Sequence, residues 1–296
     1  MNSHGIPPFS ELLGLIASQE QTFDFLFQEG ILTATRTCAC GSTMPFDSGR
    51  MGYRCTSRKC RREFSVFKGT IFFKSRLPIN AVLHLAHLWL CGSSVSFAER
   101  YTGHCRETVS VYCSHYSHFR SIVASTLEPE DLAIGGPGVI VEIDETKVGK
   151  RKNNQGHTVE GFWVFGGVER TEARRIFLVR VPNRSAATLI DILRQHVLPG
   201  TIVYSDMWRG YIHISTELEV AHCTVNHSLY FVDPETNVHT NTIEGTWSTL
   251  KSKIPIGHRT QEHSDAHLFE FIWRRLHGTN LWRAFMDAMR YIEFIE

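Results

Sequence analysis

The chain has 296 residues, 42% hydrophobic and 21% charged, the composition of a protein that buries a core. Its longest apolar runs, at 81–91 and 139–141, are too short to span a bilayer, and its first residues lack the basic segment of a signal peptide. Membrane, collagen-like and largely disordered classes are excluded. The net charge of +1 hides an asymmetry: residues 36–76 hold ten Lys or Arg against Asp47 and Glu63, a local +8, which leaves −7 elsewhere. A short Arg-rich segment on a mildly acidic body is the pattern of a small nucleic-acid-binding module; a solvated basic surface is the plainer alternative.

Residues 1–35 predict two short helices. Ser18 and Gln21 fit a capping box, Phe23, Leu26 and Phe27 an apolar stripe, and Gly30 a C-terminal stop. Residues 36–76 carry Cys38-Ala-Cys40 and Cys55-x4-Cys60. Two close cysteine pairs separated by a turn-rich linker predict a zinc ribbon, four thiolates closing one tetrahedral Zn2+ site. Free buried thiols would not explain the flanking Arg54, Arg58, Lys59, Arg61 and Arg62, which we read as DNA-binding. The remaining cysteines, Cys91, Cys105, Cys113 and Cys223, are scattered, which favours a reducing compartment over disulfides.

Residues 77–127 read as helical. Helices are predicted at 81–90, 94–101 and 106–122, with a Gly-containing turn before the last. The last two form a helix-turn-helix-like pair, the second presenting Arg106, Glu107, Ser110 and His115 to a DNA groove; many helical bundles share this pattern. Residues 128–138, with two prolines and three glycines, predict a domain linker.

From 139 to 296 the pattern changes. Strands are predicted at 139–144, 161–169, 175–181, 201–205 and 220–225, and helices at 185–197, 207–214, 240–253, 265–277 and 281–295. The order β-β-β-α-β-α-β-α gives an α/β domain: a ribonuclease-H-like mixed five-stranded sheet with helices on both faces, followed by C-terminal helices. In that order the first and fourth strands are parallel neighbours. Asp144 and Asp206 end them at one edge, and Glu244 stands near the start of the helix expected across it. Converging carboxylates repel unless divalent cations neutralise them, and oxygen ligands favour Mg2+ or Mn2+. Two such ions suit phosphodiester cleavage. Taken singly, Asp144 also fits a strand-end cap, Asp206 a helix N-cap and Glu244 a first-turn acid. Glu142, deeper on the same strand face as Asp144, and Glu145, on the other face, are rivals.

The segments Val141-Glu-Ile-Asp-Glu-Thr-Lys147, Trp163-Val-Phe-Gly-Gly-Val-Glu-Arg170, Tyr204-Ser-Asp-Met-Trp208, Val225-Asn-His-Ser228, Phe231-Val-Asp-Pro234 and His239-Thr-Asn-Thr-Ile-Glu-Gly-Thr-Trp247 resemble the ISXO2-like DDE transposase domain. Bacterial IS1595 insertion sequences and eukaryotic Merlin DNA transposons share it. The zinc ribbon matches the same family, so the resemblance runs from about Thr35 onward. It implies that Asp144, Asp206 and Glu244 are the DDE triad and hold two Mg2+ or Mn2+. It also implies hydrolysis at the terminal inverted repeats, followed by attack of the freed 3′-hydroxyl on target DNA without a covalent protein–DNA intermediate. The gap of 38 residues between Asp206 and Glu244 leaves no room for a large insertion domain.

Around this site, Asn241 and Lys251 are expected to orient metal ligands or hold phosphate, and Trp208 and Tyr211 to stack on bases or to fill core. Asn226 and His227 are weaker candidates. Lys147, Lys150, Arg151 and Lys152 form a basic hairpin suited to the DNA backbone. The partners implied are double-stranded DNA and a second copy of the chain, in a dimer or higher oligomer that pairs two transposon ends. The location implied is the nucleus in a eukaryote, which is favoured, or the nucleoid or cytoplasm in a bacterium. A domesticated DNA-binding protein that keeps the fold as a scaffold, and a nuclease without strand transfer, remain the alternatives.

Overall fold

The computed structural model describes residues 5–104, 117–149 and 161–291. The chain divides into two units: residues 1–126 with 277–296, and residues 127–276.

The first unit opens with α1 (Phe9–Ile16) and α2 (Gln19–Gln28). Ser18 caps α2, its hydroxyl accepting from the Gln21 N–H, and Phe25 and Leu26, rather than Phe23 and Phe27, are the fully buried aromatic and aliphatic residues of that helix. Four short strands follow: β1 (Thr35–Thr37), β2 (Thr43–Asp47), β3 (Gly52–Arg54) and β4 (Glu63–Ser65). They pair antiparallel in sequence order. Next come α3 (Ile79–Leu90), α4 (Val95–Thr102) and α5 (Ser117–Ala124). The Ser94 hydroxyl caps α4 and Gly103, at φ 71°, ends it. Most of the expected second helix of the helix-turn-helix pair, with Arg106, Glu107, Ser110 and His115, lies outside the described residues, as does the hairpin with Lys150, Arg151 and Lys152.

The second unit begins in the segment expected to be a linker. Residues 128–138 contain α6 (Pro129–Leu132) and β5 (Ile134–Gly135). β5 pairs parallel with β9 (Val197–Leu198), and the Gly135 N–H donates to Glu169 Oε1 at 2.8 Å. The prolines and glycines there shape turns within a folded edge. The main sheet holds β6 (Ile140–Val148), β7 (Phe162–Glu169), β8 (Ile176–Val181), β10 (Ile202–Asp206) and β11 (Ala221–Val225). Its order is β11-β10-β6-β7-β8. β6, β7 and β8 form the antiparallel meander, and β10 and β11 run parallel to β6. This is the mixed sheet expected from the sequence. β6 runs four residues past Asp144, so that acid lies within the strand rather than at its end.

Alternation along the strands gives the sheet two apolar faces. Val141, Ile143, Phe165, Phe177 and Val203 pack under α7 (Ala186–His196), whose N-terminus Ser185 caps. On this side lie also a 3-10 turn at Arg209–Tyr211 and α8 (Ile214–Glu217), where one short helix was expected. Val164, Val168, Ile176 and Leu178 pack on the opposite face, under α9 (Asn241–Lys253) and α10 (Gln261–Leu276).

The last helix, α11 (Leu281–Tyr291), belongs to the first unit. The sequence reading had grouped it with the residues from 139 onward. Its Phe285 ring lies 5.6 Å from Trp89 and 5.5 Å from Phe119, so burial of aromatics contributed by α3 and α5 sets its place. No helix among the described residues is long and apolar enough to cross a membrane.

Candidate active site

β10 lies alongside β6 with Ile202 opposite Ile140 and Tyr204 opposite Glu142. The pairing ends there, and Asp144 and Asp206 each follow two residues later on their strands. Period-two alternation puts Glu142, Asp144, Tyr204 and Asp206 on one face, the face that α9 covers. α9 lays Ile243, Trp247 and Leu250 against the sheet, which turns Glu244, in its first turn, toward the exposed edge. The structure therefore gathers the three expected acids at one end of the sheet.

Their environments differ. Asp144 is half-buried, and the Trp247 indole N–H donates to its Oδ2 at 2.9 Å. Burial pushes its carboxyl up to about 6, and the charges of Asp206 and Glu244 add to the rise. Asp206 folds back so that Oδ1 accepts from the Trp208 N–H at 3.0 Å, the cap-like contact that its position before a short helical turn predicts. Glu244 Oε1 accepts from the Thr240 hydroxyl at 3.3 Å. His227 Nε2 is 2.7 Å from that hydroxyl and 3.8 Å from Glu244 Oε1. With Thr240 donating to Glu244, the imidazole must be the donor to Thr240. The acids do not close to chelating distance on their own. Among the described residues, only the four clustered cysteines have ligand atoms all within 4.8 Å of one another.

Glu142 is the buried member of the set, with no exposed surface. Its Oε2 accepts from the backbone N–H groups of Thr242 at 2.7 Å and Ile243 at 3.0 Å. Oε1 accepts from the Thr242 hydroxyl at 2.9 Å and pairs with Arg170 Nε. Arg170 also donates to the His239 carbonyl at 2.8 Å and stacks on Tyr204. Every lone pair aimed into the fold is used, so Glu142 acts as the N-terminal cap of α9. The sequence shows Glu142 only as a rival acid, because the helix it caps is 100 residues away.

Glu145 points to the other face, as alternation requires. The Tyr211 hydroxyl donates to its Oε2 at 2.7 Å, and Oε1 is buried without a partner among the described residues. Burial pushes Glu145 up to about 7, opposed by the Tyr211 bond, while Asp144 adds to the rise. Tyr211 is 1% exposed and belongs to the core rather than to a stacking surface. Trp208 is half-buried, with the Arg184 guanidinium 5.3 Å from its ring.

Gly166 pairs with Asp144 across β6 and β7. A Cβ there would meet the Trp247 ring at 2.8 Å and Leu178 at 2.7 Å. The missing side chain is what lets the indole lie over the strand and reach Asp144.

Of the expected DNA-contacting residues, Arg58, Lys59, Arg61 and Arg62 are exposed around the cysteine cluster, while Arg54 pairs with Glu63 at 3.3 Å. Lys147 is exposed at the end of β6, and Asn241 is exposed in the first turn of α9. Lys251 lies two turns beyond Glu244, and its carbonyl accepts from Arg259. Arg106, Lys150, Arg151 and Lys152 lie outside the described residues.

Cys38 and Cys40 sit on one tight turn, closed by the Gly41 N–H to the Cys38 carbonyl at 2.8 Å with Gly41 at φ 82°. Cys55 and Cys60 sit on a second. The Sγ atoms of Cys38 and Cys60 are 3.6 Å apart and those of Cys40 and Cys55 3.5 Å. Four thiolates about 2.3 Å from one zinc stand about 3.8 Å apart in a tetrahedron, so the cluster fits structural zinc. A hydrogen bond from Ser42 draws the Cys40 thiol down to about 6, while burial pushes Cys55 up to about 12.

Residues 134–275 match the profile of the ISXO2-like transposase domain. An uncharacterized transposase-like protein of Haemophilus influenzae is 34% identical over 101 residues, 34% of this chain and 80% of that one. Male abnormal protein mab-31 of Caenorhabditis elegans is 28% identical over 49% of this chain, which spans 39% of that relative's length. The matched profile runs from β5 through α10 and so includes the acidic edge. The profile, with a transposase-like relative 34% identical and covered over 80% of its length, shows that the chain belongs to the ISXO2-like transposase family.

Proposed function

We propose that the chain is a DDE transposase that binds the terminal inverted repeats of a DNA transposon and cuts and joins DNA at Asp144, Asp206 and Glu244. The observation that carries this reading is the common placement of the three acids. Two neighbouring parallel strands and the helix pinned across them each deliver one carboxylate to the same open end of the sheet.

Carboxylate oxygens suit hard divalent cations, and Asp144, Asp206 and Glu244 are the residues that would hold them. Bound Mg2+ or Mn2+ supplies Lewis acidity to the phosphodiester oxygens. The protein fixes the geometry. Trp247 orients Asp144, Thr240 and His227 orient Glu244, and Glu142 holds α9 against β6. In the first step a water oxygen attacks the phosphorus at the transposon end, displacing the 3′-oxygen and leaving a 3′-hydroxyl and a 5′-phosphate. In the second, that 3′-oxygen attacks a target phosphorus, and the target's own 3′-oxygen leaves as a hydroxyl. The cysteine cluster holds one structural Zn2+ and, with Arg58, Lys59, Arg61 and Arg62, forms a DNA-binding module. Duplex DNA is the partner, and a dimer pairs the two ends.

The test is cleavage of supercoiled DNA carrying the gene's genomic flanks, by wild type and Asp206→Asn, with Mg2+, Mn2+ or EDTA. Metal-dependent cuts at a repeat, absent in the variant, support the reading. Tight binding to the flanks without cuts in any metal would replace it with a domesticated DNA-binding protein.

A further inference from the structure

We propose that a recess on the outer flank of α9 holds a phosphate of the DNA backbone. The proposal rests on the transposase reading and names a contact that positions the strand. The recess measures about 430 Å3. Arg174, from the turn between β7 and β8, and Arg275, from the last turn of α10, line one side; Asn241, Gly245 and Thr249 of α9 line the other.

Some arginines of this unit are spent on acids, and the two of the recess are not. In the same unit Arg170 pairs with Glu142, Arg180 with Asp265, Arg194 with Asp191 and Arg274 with Glu270. Among the described residues, neither Arg174 nor Arg275 has a carboxylate within 4.0 Å, and no acid lines the recess. Arg275 Nε donates to the Arg174 carbonyl at 3.1 Å, which fixes one guanidinium against the turn that carries the other. Burial, and then the charge of Arg174, draw Arg275 below the usual arginine value. Two like charges held together in a half-buried recess are relieved by an anion, and guanidinium forks match phosphate oxygens. The Asn241 amide adds donors. Gly245 leaves the floor open, since a Cβ there would meet nothing within 4 Å. Glu244 and Gly245 are consecutive and so about 100° apart around the helix. The proposal carries the strand from Glu244 across that arc of the exposed helix surface to the recess.

The full-length protein is titrated with a fluorescent random-sequence duplex, without added divalent cations and at several salt concentrations. Arg174→Gln alters an exposed turn. Gly245→Glu puts a carboxylate into open space on a helix that accepts Glu better than Gly, and Gly245→Gln controls for size. Arg174→Gln and Gly245→Glu are each expected to weaken binding about tenfold at physiological salt and to reduce the salt slope by about one, with Gly245→Gln near wild type. Unchanged affinity and slope in both charge variants, while wild type cuts DNA, would overturn the recess alone. A wild type that neither binds nor cuts DNA would overturn the transposase reading and the recess with it. Inorganic phosphate is the second probe. If it raises the Tm of wild type but not of Gly245→Glu, while both bind DNA equally, the site takes a free anion and the backbone assignment falls.

Discussion

Glu142 in β6 accepts the backbone N–H of Thr242 in α9 at 2.7 Å, joining the strand that carries Asp144 to the helix that carries Glu244. The same carboxylate takes Ile243 N–H, the Thr242 hydroxyl and Arg170. One buried charge thereby holds two of the three acids in a fixed relation.

That relation predicts the behaviour of Glu142 variants. Glu142→Ala leaves Arg170 unpaired and two helix N–H groups without an acceptor, and should cost about 3–5 kcal/mol of stability in urea unfolding. Glu142→Gln keeps one acceptor oxygen and should cost less. Activity should fall in step with stability. A Glu142→Gln protein of wild-type stability but no cleavage would make Glu142 a direct participant instead.

Trp247 and Gly166 control the Asp144 carboxylate together. Trp247→Phe keeps the ring but removes the 2.9 Å donor. Cleavage should drop about 10- to 100-fold, the usual effect of losing a group that orients a metal ligand. Gly166→Ala should cost about 1–3 kcal/mol, because its methyl would overlap the indole and Leu178. Thermal unfolding and cleavage rates of the two variants check both statements.

The share of stability that depends on Asp144 and Glu145 should fall as pH rises. Asp144 and Glu145 keep their protons up to about 6 and about 7 in the folded chain, whereas unfolded carboxyls release theirs near pH 4. Between those limits the native state binds more protons, so raising the pH favours unfolding. Without added divalent cations, the Tm of Asp144→Asn or Glu145→Gln should rise relative to wild type as the pH is raised through this window.

Zinc should be integral to the first unit. Its four strands are three to five residues long, and their turns converge on the cysteines. Purified protein should carry about one Zn2+, and Cys55→Ser should lose it together with part of its thermal stability. Metal analysis and calorimetry read both. Full stability in the zinc-free variant would mean that the strands hold without the ion.

Much of this was legible in the sequence because it is local or periodic. The paired cysteines, the Ser18 and Ser185 caps, the alternation in β6 and the apolar face of α7 follow from spacing along the chain. The sheet order follows too, once a meander and two parallel crossovers are recognised, and with it the meeting of Asp144 and Asp206. The tertiary structure decided what depends on contacts far apart in sequence. It made Glu142 a helix cap, brought Trp247 onto Asp144 through the space at Gly166, and paired Ile134–Gly135 with Val197–Leu198. It also sent α11 back to the first unit and left Arg174 and Arg275 facing each other without an acid. Periodicity reports which face of an element is apolar, but a buried polar group takes its meaning from the partner that satisfies it, and only the fold supplies that partner.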